Sequence, residues 1–264
     1  MYDFAYQKPS SMADVVDVLK NDPEAKVIAG GMTLIPVLKQ RLNQPSVVVD
    51  LAGLGLAGIK AEGSEITIGA MTTHEMIAAS KEIRERIPGL ADMASWIGDI
   101  QVRRRGTMGG SLANNDPVAC YPAAVLACNA RVKTDRREIA ADDYFLGMFT
   151  SALEPDEIIT AVTFPVPEKS AYEKFRNPAS RYAIVGVFVA KGPAGVRVAV
   201  TGAGQDGVFR HKAMEEALTQ KFSPDAIAGI NTPAEGLNSD IHASAEYRAH
   251  LIGVMAKRAV AKIA

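Results

Sequence analysis

Two glycine pairs are the residues whose type and spacing point to chemistry. The first lies in Val27-Ile28-Ala29-Gly30-Gly31-Met32-Thr33-Leu34-Ile35-Pro36-Val37-Leu38-Lys39. An apolar run ends in Gly-Gly and an amphipathic pattern starts at once, which reads as strand, tight turn and helix start. A turn nearly without side chains lets backbone N–H groups approach a ligand, and a helix N-terminus favours an anion, most often a phosphate. Thr33 is the expected N-cap, and Pro36 is tolerated in the first helical turn. The second pair lies in Thr107-Met108-Gly109-Gly110-Ser111, where Thr107 can add a hydroxyl to a phosphate oxygen. Neither pair is a G-x-G-x-x-G fingerprint or a P-loop. One Gly-Gly alone is more often a plain turn. Two together can grip a diphosphate from two sides, and so a dinucleotide.

Other candidates are plainer. Asn114-Asn115-Asp116-Pro117 reads either as a ribose or flavin-edge contact or as a turn built by Asn/Asp side chains before proline. Arg103-Arg104-Arg105 reads as a solvated or ion-paired face before it reads as a phosphate site. His74, His211, His242 and His250 are scattered without metal-ligand spacing, and Gly-x-Ser-x-Gly is absent. Gly202-Ala203-Gly204-Gln205-Asp206-Gly207 reads as a loop. With no evident protein acid, base or nucleophile, the chain suits chemistry that belongs to a bound cofactor. No catalytic side chain and no metal site are assigned.

The elements that must position these turns follow from pattern. The chain has 264 residues, which suits one large domain or two smaller ones, and 48% hydrophobic residues suffice for a core. A net charge of −1 gives no field for nucleic acid or anionic lipid. The two cysteines, Cys120 and Cys128, read as reduced thiols of a cytoplasmic protein. No apolar run approaches the roughly 20 residues of a membrane span, and the start carries no signal-peptide pattern. Strands are expected at 2–6, 26–29 and 47–51, with helices from Ser11 and over 33–42. Strand, helix, strand with so short a crossover implies parallel pairing. A hairpin follows at 59–68, helices at 73–76 and 89–97, a helix at 122–128, strands at 130–133 and 138–140, a short helix at 142–149 and a strand at 158–164. Pro165-Val166-Pro167-Glu168-Lys169-Ser170 is the expected domain boundary. Beyond it come strands at 172–176, 183–190 and 196–201, a helix at 213–218 and an amphipathic tail at 245–263.

Ala29-Gly30-Gly31-Met32-Thr33-Leu34-Ile35-Pro36 and Thr107-Met108-Gly109-Gly110-Ser111-Leu112-Ala113-Asn114 resemble the two flavin motifs of the medium subunit of molybdenum hydroxylases, the group of carbon monoxide dehydrogenase and xanthine dehydrogenase. The resemblance continues through Leu153-Glu154-Pro155-Asp156-Glu157-Ile158, Tyr172-Glu173-Lys174-Phe175 and Ala245-Glu246-Tyr247-Arg248. It implies an α+β chain: a two-lobed FAD-binding fold of the vanillyl-alcohol oxidase type over 1–167, with lobes at about 1–52 and 53–167, then a smaller α+β C-terminal domain over 168–264. It implies FAD held by Ala29, Gly30, Gly31, Met32 and Thr33 and by Thr107, Gly109 and Gly110, with Ser111 and Asn114 in the second motif. Lys26 and Lys174 sit where the family has residues near the flavin. Many members place an Asp thirteen positions after the threonine, against the ribose; here that position is Cys120. A thiol is a weak donor and poor acceptor, so the ribose contact is expected to pass to Asp116 or to the backbone.

The resemblance also implies a flavoprotein electron-transfer role in a heteromeric complex. A small subunit carries [2Fe–2S] clusters, and a large subunit carries the molybdopterin cofactor. The expected assembly is a dimer of heterotrimers in the cytoplasm. Two cysteines are too few for cluster ligation by this chain. The alternatives are a flavin-free scaffold of the same fold and a free-standing flavin oxidoreductase.

Overall fold

The computed structural model describes residues 1–264. The chain opens with β1 (Ala5–Gln7), α1 (Met12–Asn21), β2 (Lys26–Ile28), α2 (Leu34–Lys39) and β3 (Val47–Asp50). The strands form a parallel sheet in the order β1-β3-β2. Ser11 starts α1 by accepting the Asp14 amide at 3.2 Å. Val15, Val47, Val49 and Leu51 form a small core here, completed by Ile158 from far along the chain. The first strand is Ala5–Gln7, shifted from the expected 2–6 because its pairing with Val47–Val49 sets the register.

The next stretch holds β4 (Ile59–Glu62), β5 (Glu65–Gly69), α3 (His74–Ala79), α4 (Lys81–Arg86), α5 (Pro88–Ser95), α6 (Ile100–Arg105), α7 (Met108–Asn114) and α8 (Tyr121–Ala127). It continues with β6 (Arg131–Thr134), β7 (Glu138–Ala140), α9 (Ala141–Tyr144), β8 (Phe145–Gly147), β9 (Thr150–Ser151) and β10 (Ile159–Pro165). Five strands form an antiparallel sheet in the order β4-β5-β10-β6-β7. The helix expected over 142–149 stops at Tyr144, and Phe145 to Ser151 forms a hairpin instead. A tertiary anchor decides this: Asn115 Nδ2 donates to the carbonyls of Gly147 at 2.9 Å and Thr150 at 2.8 Å.

The remainder holds β11 (Lys169–Arg176), β12 (Ala183–Gly192), β13 (Gly195–Gly204), β14 (Gly207–Arg210), α10 (Lys212–Gln220) and α11 (Ala245–Ile263). The strands form an antiparallel meander. Gly202 to Gly207 is not a loop. Strand β13 runs through Gly204 and turns tightly into β14, because Asn238 and Pro117 supply partners to its backbone. Successive residues of a strand face opposite ways. On β12, Phe188 and Ala190 therefore join the core shared with α5 and α8, while Val185, Val187 and Val189 join the core under α11. The meander is thus buried on both faces, and Gly89 of α5 packs directly on the Ala171 backbone.

Candidate functional site

The first glycine turn follows β2. Gly31 has φ +74°, a left-handed conformation that glycine adopts without cost. The amides of Ala29, Gly30, Gly31, Met32 and Thr33 donate to no acceptor in the chain. Gly30 and Gly31 are buried. Buried backbone N–H groups are nearly always paired, and a row of open amides in a left-handed turn is an anion-binding concavity. Thr33 precedes α2 but its side chain caps nothing. Its φ of −106° and ψ of −50° are helix-like, unlike the extended backbone an N-cap needs.

The second turn uses its amides differently. Thr107 is the N-cap of α7, and its Oγ1 accepts the Gly110 amide at 3.2 Å. The Met108 amide donates to Thr72 at 3.1 Å and the Gly109 amide to Ala70 at 2.8 Å. A Cβ on Gly109 would lie 2.8 Å from the Ala70 carbonyl oxygen. The free donors on this side are the hydroxyls of Thr107 and Ser111 and the amide of Asn114, which ends α7.

The fold brings the two turns together. A Cβ on Gly30 would fall inside the Arg105 carbonyl, and a Cβ on Gly110 would lie 3.4 Å from that of Ala29. Behind the contact stands His74. Its amide donates to Gly106 at 3.0 Å, and its Nδ1 lies 3.2 Å from the Tyr121 hydroxyl. Burial and the nearby Arg103 hold this imidazole down to about 4, so it is neutral. Arg103 itself pairs with Glu75 at 3.2 Å. The arginine run thus splits into one structural member and two exposed ones, Arg104 and Arg105.

Lys174, on β11, is 7% exposed. Its Nζ donates to the carbonyls of Trp96 at 2.8 Å and Arg181 at 3.0 Å, and lies 3.6 Å from Cys120 Sγ. Two residues that the motif comparison singled out separately are therefore in contact. Asp116 is half-buried, with Oδ1 accepting the Val118 amide at 3.0 Å; burial raises its pKa. Tyr182 is half-exposed, and partial burial, then Asp116 and Cys120, raise its phenol. Lys26 stands apart from this cluster, at the start of β2 opposite Val48. Sequence reasoning missed Tyr182, Trp96, Arg181 and His74. The Asn177-Pro178 turn before Tyr182 was the only local signal. The two carbonyls and the buried imidazole leave none, because their role exists only across elements.

The family model described as the FAD binding domain in molybdopterin dehydrogenase matches residues 2–167. The chain is 37% identical to the nicotine 6-hydroxylase medium subunit of Paenarthrobacter nicotinovorans, over 97% of this chain and 95% of that one. It is 35% identical to the carbon monoxide dehydrogenase medium chain of Afipia carboxidovorans, with the same coverages of 97% and 95%. Among solved structures, carbon monoxide dehydrogenase from Hydrogenophaga pseudoflava superposes with a TM-score of 0.88 at 33% identity, covering 100% of this chain and 99% of that one. Quinoline 2-oxidoreductase from Pseudomonas putida 86 gives 0.89 at 28% identity, covering 99% and 96%.

Proposed function

We propose, on the premise that this chain belongs to the family of FAD-binding domains in molybdopterin dehydrogenases, that the Ala29–Thr33 turn holds the diphosphate of FAD. The chain is the FAD-carrying electron-transfer subunit of a heteromeric molybdenum hydroxylase. The observation that carries the site is the row of unpaired amides from Ala29 to Thr33, two of them on buried glycines. An anion there satisfies donors that the chain itself leaves open. Thr107, Ser111 and Asn114 add side-chain donors from the facing turn, while Gly110 lets that turn approach Ala29 and Gly109 seats it on Ala70. Asp116, which with Cys120 acts on the Tyr182 phenol, takes the ribose hydroxyls. Lys174, held by the Trp96 and Arg181 carbonyls, and Lys26, half-buried at the start of β2, lie on the flavin side.

FAD bound there would supply the redox chemistry of the complex. The chain's own residues bind it, orient it and set the charge around it. Residues 1–167 form the two lobes of the FAD domain, with the division near 52, and 168–264 form the C-terminal domain. The electron donors are [2Fe–2S] clusters on a small subunit, fed by a molybdopterin cofactor on a large one, in a cytoplasmic dimer of heterotrimers. No helix of this chain is long and apolar enough to cross a membrane. Co-purification from the native cell tests this reading. Stoichiometric flavin absorbance on this chain, with iron and molybdenum on its companions, is expected. A colourless chain that cannot be reconstituted with FAD overturns it.

A further inference from the structure

Cys120 and Lys174 meet in the interior, 5% and 7% exposed, with Sγ and Nζ 3.6 Å apart. The other donors of Lys174 go to the Trp96 and Arg181 carbonyls, so no carboxylate stands beside this ammonium. Glu173, its chain neighbour, pairs with Lys262. A third group faces the pair. Tyr172 lies two residues before Lys174 on β11 and so on the same face. It is 1% exposed, and its hydroxyl has no hydrogen-bond partner. After burial, Cys120 is the main influence that raises this phenol. A thiol, an amine and an orphan hydroxyl are thus enclosed together.

We propose that Cys120 and Lys174 form an oxidant-dependent covalent link, a sulfenamide joining Sγ to Nζ. The oxidant is hydrogen peroxide. In the first step its O–O bond breaks; one oxygen stays on Sγ as a sulfenic acid, the other leaves as water, and sulfur gives up two electrons. In the second, Nζ, having released its extra proton to solvent, attacks Sγ. The S–N bond forms, the S–O bond breaks, and hydroxide leaves with a proton from nitrogen as a second water. Thiol, amine and one peroxide become the link and two waters. The enclosure favours this route, because the amine is the nucleophile already in contact with sulfur. The Tyr172 hydroxyl is placed to donate to the sulfenic oxygen. The link removes the charge of Lys174 and ties β11 to the residue that precedes α8. Control of the flavin by this charge rests on the function proposed above; the link itself does not.

The test uses the full chain as purified with its complex, treated with hydrogen peroxide, alkylated and digested with trypsin. Tandem mass spectrometry is expected to find the peptide carrying Cys120 joined to the peptide carrying Lys174, two hydrogens lighter than their sum. Cleavage after Lys174 is lost, and dithiothreitol restores it. Lys174→Arg keeps the charge and abolishes the link, leaving a sulfenic acid on Cys120 that dimedone traps. Cys128, 6% exposed with its thiol pushed up to about 12 by burial, is the internal control, so Cys128→Ser keeps the link. Recovery of Cys120 as a free alkylated thiol, or as a sulfinic acid with normal cleavage at Lys174, overturns the proposal. Flavin absorbance of the same sample separates the two readings: flavin without the link sinks only the link, and the link without flavin sinks only the flavin site.

Discussion

At Ala29–Thr33 the successive amides find no acceptor in the chain, whereas at Met108–Ser111 every amide is bonded, to Thr72, Ala70 and the N-cap Thr107. Both turns carry Gly-Gly; the first follows strand β2 and the second follows helix α6. The first keeps its donors open and takes a left-handed φ at Gly31; the second spends its donors on holding α7 to the strand end at Ala70. A glycine pair therefore announces close approach without saying to what. In the first turn the approach is to the facing turn, with the amides left open. In the second it is to the chain's own backbone.

The strongest way to break this comparison is Gly30→Val. Its side chain would occupy the Arg105 carbonyl, which is backbone and cannot swing away. Forcing the turns apart is expected to cost more than about 3 kcal/mol in denaturant unfolding and to abolish flavin binding. Unchanged stability would mean that the turns do not touch.

The support behind the second turn can be titrated. His74 has its folded value lowered from 6.5 to about 4 by burial and Arg103. Stability from keeping it neutral is complete above pH 6.5 and is lost as pH falls through about 4, because the unfolded chain takes up the proton first. At about 1.4 kcal/mol per unit this amounts to roughly 3 kcal/mol. His74→Gln should flatten the acid limb of the stability–pH curve; an identical limb in the variant would sink the assignment.

Gly31→Val sharpens the contrast. An added Cβ meets mainly the flexible Ile35 side chain, at 2.7 Å, so the φ of +74° is the obstacle. Strain of about 1–3 kcal/mol is expected. Flavin absorbance should fall well below stoichiometric while the chain stays folded. A fully yellow variant would refute the open-amide cradle.

The smallest expected effect is at Thr107. Thr107→Val removes the cap of α7 and should cost about 1 kcal/mol, with flavin affinity weakened a few-fold. Thr107→Ser should restore both. Equal melting temperatures for Val and Thr would show that the cap contributes nothing.

Local pattern carried much of the architecture. The parallel strand–helix–strand unit, the hairpin at 59–69 and the long final helix follow from apolar periodicity and turn residues, which act within a few positions of themselves. Two departures from the expected pattern share one origin. Phe145–Ser151 is a hairpin because Asn115 holds it, and Gly204–Gly207 is a tight strand turn because residues near 117 and 238 pair with its backbone. Neither partner is visible from the segment itself.

The sequence by itself determined where backbone can come close to something: at Gly30–Gly31 and at Gly109–Gly110, where the missing Cβ is a local, readable fact. It also carried, through the match across the chain, the family and its cofactor. Only the tertiary structure decided which turn keeps its amides free, that Gly30 rests on Arg105, and that Cys120 and Lys174 share one buried pocket. The physical reason is that amide pairing and side-chain burial are settled between elements distant in the chain. The same two glycines can then end as a ligand cradle or as a backbone clasp.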